Sequence, residues 1–283
     1  MSTAGKRSAR VQTERTQVTT SDFAAEIFKL TEDTESINAL VYGDSNVGKT
    51  VLCSTLPENT FWLVCEPGYK SAARFRARHK QPPHKGGRRI TDTATALATV
   101  DWLYEKRRCD RLDWLVLDGA STMQDRFRLG YAAEAFDIDP SKRQHRNLPD
   151  RPDYFNTQNF LKSWLPMLID MPINLLVTAH AYRTDDTADG ELLVYPGFQG
   201  VKGETANAIA GLMDVTAFMQ KRQLRIGQGT KLVRRLWFEQ PEAQGKHEDP
   251  VRYVVGDKFG VLPQYMDAPS MPKILKYING ESA

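Results

Sequence analysis

Gly43-Asp44-Ser45-Asn46-Val47-Gly48-Lys49-Thr50 is the stretch on which the reading of this chain turns. It fits G-x-x-x-x-G-K-[ST] in full. The apolar run Ile37-Asn38-Ala39-Leu40-Val41-Tyr42 precedes it, and the helix-compatible Val51-Leu52-Cys53-Ser54-Thr55-Leu56 follows. Each residue type has a physical reason. The glycines let consecutive backbone N–H groups turn inward around an anion, and a helix starting at the loop adds the positive end of its dipole. Lys49 reaches the β- and γ-phosphates of a nucleotide held there, and the Thr50 hydroxyl is a ligand for the Mg²⁺ that accompanies them.

Working outward, three more apolar runs end in a polar residue where a strand would hand over to a loop. Thr60-Phe61-Trp62-Leu63-Val64-Cys65 ends at Glu66-Pro67-Gly68, Trp114-Leu115-Val116-Leu117 ends at Asp118, and Ile173 to Ala179 ends at His180. A fifth run spans Met213 to Met219. Continuous apolar runs suit a parallel sheet covered on both faces. Between them, Ala96 to Tyr104 and Phe160 to Ile169 carry helical spacing, so strands alternate with helices and the expected class is α/β. Past residue 220, Gln223 to Ile226 and Leu232 to Phe238 flank a Gly-Gln-Gly turn and read as an antiparallel hairpin. Arg252 to Val255 reads as a third strand of that group and Pro272 to Ile278 as a closing helix. The expected organisation is a flexible basic tail over residues 1–20 and a single domain over 21–283. Its core covers about 36–220, and a β extension of the same sheet covers about 221–283.

Composition excludes several classes. With 41% hydrophobic and 26% charged residues the chain is an ordinary globular sequence, and a net charge of +3 is too mild to name a partner. Cys53, Cys65 and Cys109 show no C-x-x-C spacing, which argues against a disulfide framework or zinc site and for buried thiols in a reducing cytoplasm. No apolar run approaches the ~18 residues of a membrane span. The N-terminus lacks the apolar stretch of a secretory signal.

A phosphate loop needs a second carboxylate to hold the metal's water shell, usually at a strand end. Asp118 is the candidate, with a turn or helix-cap residue as its plainer reading. Glu66, ending the next strand after the loop, is a candidate general base for polarising an attacking water, or else a turn residue before Pro67-Gly68. His180 is a candidate γ-phosphate sensor, or else a satisfied loop histidine.

Taken in order, these four strand ends resemble the RecA-like ATPase core, and more closely the RecA-like recombination and annealing ATPases encoded by phages. The resemblance covers roughly residues 36–263. It implies a mainly parallel sheet flanked by helices, Mg²⁺-ATP held by Gly43 to Thr50, and Mg²⁺ held by Thr50 and Asp118. Lys49, Glu66 and His180 are then the catalytic residues. Phage-type members read like Thr178-Ala179-His180 at the sensor and like Gly256-Asp257-Lys258-Phe259-Gly260 near the C-terminus. Lys258 is thereby expected to complete the ATP site of a neighbouring subunit in a homo-oligomer. The sequence departs from the bacterial recombinase at His180, where that protein has glutamine, and at Gly119, where it has serine. It is also expected to lack the large C-terminal domain of the bacterial recombinase.

Three cation-bearing stretches are candidate DNA contacts, the plainer reading of each being a solvated charged surface. They are Arg74 to Arg89 (with Arg88 and Arg89), residues 142–151 (Lys142, Arg143, Arg146, Arg151), and the segment after His180 (Arg183, Tyr195, Phe198, Lys202). Asp185, Asp186, Asp189 and Glu191 weigh against the last. The expected function is a DNA-dependent ATPase of recombination or single-strand annealing. It would act on single-stranded DNA, with an annealing or single-strand-binding protein as partner, in the cytoplasm (the host's, if phage-encoded). Two other classes stay open: an ATP-switched assembly or loader protein, and a small-molecule P-loop kinase. The kinase would need an arginine-bearing lid that no segment clearly supplies.

Overall fold

Each apolar run becomes a strand because a parallel sheet offers it two faces to bury, and the polar residue at its end emerges where the sheet stops. The computed structural model describes residues 36–185, 192–200, 203–226, 229–240 and 251–281. The expected tail, residues 1–20, lies outside them. The described residues fall within one compact unit, Glu35–Ala283.

The first half of the chain forms β1 (Asn38–Gly43), α1 (Lys49–Cys53), β2 (Thr60–Val64), α2 (Tyr69–Arg78), β3 (Gly86–Arg89), α3 (Thr93–Tyr104) and β4 (Trp114–Asp118). Two long helices follow, α4 (Ala120–Ile138) and α5 (Arg151–Ile169), then β5 (Asn174–Thr184), β6 (Leu192–Pro196) and α6 (Glu204–Leu212). The remainder is β7 (Val215–Ile226), β8 (Gly229–Trp237), β9 (Val251–Tyr253), β10 (Gly256–Asp257), β11 (Tyr265–Asp267) and α7 (Met271–Ile278). The main sheet runs β11-β8-β7-β1-β5-β4-β2-β3. Its centre is parallel: β1 pairs with β5 and β7, β4 with β5 and β2, and β2 with β3. Strand β5 therefore separates the phosphate-loop strand from the Asp118 strand. Opposite Gly43 stands His180, and opposite Val64 stands Asp118, so all the strand ends meet at one edge. The fold is α/β, a mainly parallel sheet flanked by helices, with antiparallel β8 and β11 extending the sheet.

The period of two along each strand divides the core. Leu40, Tyr42, Leu115, Leu117, Leu175 and Val177 point to one face, where α3, α4, α5 and α6 bring Leu103, Phe127, Trp164 and Ile209. Ala39, Val41, Trp114, Val116 and Leu176 point to the other, against Leu52 of α1, Ala72 of α2 and Ile274 of α7. Helix starts follow from capping. Asp92 accepts from the Thr95 N–H at 2.7 Å before α3, and a reciprocal capping box of Asp150 and Asp153 opens α5. That box starts α5 nine residues ahead of the expected Phe160.

Four expectations change. The fifth apolar run and the first hairpin strand are one strand, β7, which pairs with β1 through its apolar half and with β8 along its polar half. Arg252 to Tyr253 joins β6 instead of the hairpin. Residues after His180 continue as strand to Thr184, because β6 folds back onto them. Gly86 to Arg89 is an edge strand: its outward cations need no apolar partner and discourage further pairing.

Two of the cationic stretches are also partly spent inside the fold. Arg76 is 5% exposed and donates to the carbonyls of Ser54 (2.9 Å), Leu56 (2.7 Å) and Pro82. Arg143 grips the buried Asp153 carboxylate, and Arg146 pairs with Asp137. Lys142 pairs with Asp139. Replacing Arg76 by Ala is expected to lower unfolding free energy by roughly 2–4 kcal/mol, since buried carbonyls lose a charged donor. Urea unfolding measures it; unchanged stability would return Arg76 to the surface.

Candidate nucleotide and catalytic site

The loop between β1 and α1 turns through two left-handed residues, Asn46 (φ 62°) and Gly48 (φ 116°). Lys49 folds back along the loop, its Nζ donating to the carbonyls of Gly43 (2.7 Å) and Asp44 (2.9 Å). Burial lowers the pKa of this ammonium, opposed by the charges of Glu66, Asp118 and Asp44. The pull of three carboxylates keeps the cation where a phosphate chain would lie. Asp44, the second loop residue, is held by a two-pronged pair with Arg183 of β5 (2.7 and 2.8 Å), which lowers its pKa.

Asp118 is 2% exposed. The Thr50 hydroxyl lies 3.2 Å from each of its oxygens, and the Thr178 hydroxyl donates to Oδ1 at 2.8 Å while accepting from the Gly119 N–H at 2.9 Å. Burial nevertheless dominates and raises the Asp118 pKa, with Thr178 and Thr50 offsetting part of the shift. Among the described residues, no three His, Cys, Asp or Glu side chains gather as a metal cage. Thr50 and Asp118 fit a Mg²⁺ that arrives with its nucleotide, since that ion keeps waters and phosphate oxygens and takes only one or two protein ligands.

Glu66 lies beside this pair. Its Oε1 accepts from Thr122 Oγ1 (2.6 Å) and from His180 Nε2 (3.0 Å), which must then carry the ring proton. The bond from His180 is the largest cause of a lowered Glu66 pKa; Thr122 adds to it and burial opposes it. Both contacts use Oε1, leaving Oε2 for a water. The His180 backbone N–H is anchored to Ser121 Oγ at 3.0 Å. Gly119 is explained here. Its φ is 94°, and a Cβ would stand 2.7 Å from Glu66 Oε1, so a serine at this position would push the carboxylate aside.

The structure thus brings Lys49, Thr50, Glu66, Asp118 and His180 to one edge of the sheet. Lys258 is elsewhere: its N–H bonds Asp214, at the start of β7, the end of the sheet opposite Gly43. It does not join the cluster around the loop. Arg183 is engaged by Asp44 and is no free surface cation, while Arg88 and Arg89 stand exposed on β3. Lys202, Asp186, Asp189 and Glu191 lie outside the described residues. Thr122 carries no sign in the sequence, and Thr178 stands there only as part of the Thr178-Ala179-His180 motif; a threonine within an apolar strand or a helix start gives no local sign of a distant carboxylate. Cys53, Cys65 and Cys109 are free and buried.

The chain matches the AAA domain family over residues 35–244, and it belongs to that family. With the parallel sheet and the complete loop, this makes it a P-loop ATPase by fold. No curated protein matches the sequence. A solved structure, the KaiC-like protein PH0186 from the hyperthermophilic archaeon Pyrococcus horikoshii OT3, is similar at 11% identity with a TM-score of 0.39. The match covers 71% of this chain and 77% of that one. So distant a likeness adds nothing to the assignment. Among the described residues, no helix is long and apolar enough to cross a membrane.

A raised Asp118 pKa means that the folded state holds this proton more tightly than the unfolded chain does. Ionising Asp118 as pH rises therefore costs stability. Asp118→Asn is expected to raise Tm by a few degrees at neutral pH, roughly 1–2 kcal/mol, with the gain shrinking in acid where the wild-type carboxyl is already protonated. The same variant should lose Mg²⁺-dependent nucleotide turnover. Melting curves across pH check this, and a lower Tm at neutral pH would contradict it.

Proposed function

We propose that this chain hydrolyses Mg²⁺-ATP and that single-stranded DNA controls its turnover, as in recombination or strand annealing. The hydrolytic half of this reading rests on the site itself. Lys49 and the loop N–H groups hold the phosphates, Thr50 and Asp118 hold Mg²⁺, and Glu66 orients a water through Oε2. With its pKa lowered, Glu66 stays ionised at neutral pH and serves more to align the water than to take its proton in full. His180 would feel the γ-phosphate come and go; its bond to Glu66 and its position opposite Gly43 support this.

The observation that carries the control half is strand β5. Four of its residues act in series: Thr178 on Asp118, His180 on Glu66, Arg183 on Asp44, and Tyr182 in a cleft of 670 Å³. That cleft presents Tyr154 and Phe155 of α5 and Tyr182, which are 39%, 63% and 59% exposed, beside Arg151 and Gln158. Rings displayed to solvent among polar neighbours suit stacking of unpaired bases, which every base allows through its π-face. A strand of DNA gripping Tyr182 would move the groups that touch Asp118, Glu66 and the loop residue Asp44. Arg88 and Arg89 offer a second contact for the phosphate backbone, on the far edge of the sheet. Lys258 would reach the nucleotide of the next subunit in a homo-oligomer, as a trans-acting cation does.

ATP turnover is expected to rise when single-stranded DNA is added at low salt. Phe155→Ala should weaken the stimulating strand about tenfold or more, the scale of one lost base stack, while DNA-free turnover stays the same. Absence of stimulation by any single strand at low salt would remove DNA from the reading. It would favour the alternative in which the same ATPase resets a protein assembly.

A further inference from the structure

Arg234 lies on β8, two strands from the phosphate loop in the sheet order, yet its side chain reaches the loop. Its Nε donates to the carbonyl of Val47 at 3.1 Å, and its guanidinium occupies the space that a Cβ on Gly48 would need. The backbone behind it is fixed on both sides. Arg234 stands opposite Lys221 of β7, and its own carbonyl accepts from the Ala268 N–H at 2.8 Å. The side chain is therefore aimed by the sheet and not loosely draped.

Its charge is the second observation. Arg235, next in the chain, is neutralised by a two-pronged pair with Asp267 at 2.8 Å, and Arg183 by Asp44. Among the described residues Arg234 has no carboxylate partner, and its two Nη groups have no acceptor. A planar guanidinium with four N–H donors unspent, resting on the phosphate loop, is matched to phosphate oxygens.

Sheet order then decides which phosphates. Glu66, Asp118 and His180 come from β2, β4 and β5, all on one side of β1, so the transferred phosphoryl group must point that way. Strands β7 and β8 lie on the other side. The geometry points to Arg234 as the residue that binds the non-transferred α- and β-phosphates of the nucleotide. This inference rests on the loop being the ATP site. Such a contact is the same before and after hydrolysis, so it strengthens substrate and product binding alike and leaves the chemical step alone.

The test uses the full chain and measures Mg²⁺-ADP and Mg²⁺-ATP affinity, displacement of a fluorescent ADP by pyrophosphate, and turnover at saturating ATP. Arg234→Ala is expected to weaken ADP, ATP and pyrophosphate by similar factors, about tenfold or more, the scale of one charge-assisted hydrogen bond. KM should rise accordingly while kcat stays within about twofold, the signature of lost uniform binding. Arg234→Gln, whose amide can still meet the Val47 carbonyl, keeps the loop supported and should show the same affinity loss; Arg234→Lys should recover part of it. Unchanged ADP affinity in a folded variant would overturn the proposal. So would an unchanged pyrophosphate affinity, which would move Arg234 to the base or ribose, or a collapse of kcat with ADP binding intact, which would move it to the γ-phosphate. If Lys49→Ala binds ADP as well as wild type does, the reading of the loop fails, and Arg234 falls with it. An effect of Lys49→Ala without one of Arg234→Ala sinks only the Arg234 assignment.

Discussion

A carboxylate buried at the end of a parallel strand is the constraint around which this molecule is organised. Asp118 is almost out of reach of water, and burial disfavours its charge. The fold tolerates it because Thr50 and Thr178 converge on its two oxygens from the phosphate loop and from β5. That convergence requires β5 between β1 and β4, and it requires the left-handed turn at Gly119 that lets Glu66 close over the same spot. Stability is surrendered locally for a carboxylate which, in the proposed function, is the counter-charge of a divalent cation.

Strand β5 follows from the same constraint. Because it is central, it borders the phosphate loop on one side and the Asp118 strand on the other. Because it continues past the sheet edge to Thr184, supported by β6, it links those sites to an aromatic cleft. In the proposed function this element, which touches the loop, Asp118 and Glu66, carries the signal that arrives at the cleft.

Much of this is legible in the sequence, for physical reasons that also mark what is not. The loop at Gly43 to Thr50 can be read because its backbone conformation dictates its residue types. Asp118, Glu66 and His180 can be read because each interrupts an apolar run where a strand must end. Thr122, Arg234 and the bond from Thr178 to Asp118 are hidden: each depends on a partner 56, 187 or 60 residues away. Composition alone also cannot tell a spent arginine from an available one. Arg76 and Arg143 resemble Arg88 and Arg89 in the chain, yet the first two are bonded inside the fold and the last two face solvent. Strand β3 escapes because Gly-Gly-Arg-Arg has no apolar rhythm, and β7 looks like two elements because its environment changes from core to hairpin halfway along.

The central claim is that Glu66, held through Oε1 by His180 and Thr122, orients the water that attacks ATP bound at the loop. Single-turnover cleavage of ATP by Glu66→Gln, measured beside equilibrium ATP binding, tests it most directly. The expected result is wild-type affinity with cleavage slowed by about 10²-fold or more, the scale of lost acid–base help. Cleavage at the wild-type rate, or a loss of binding with the chemical step intact, would contradict it.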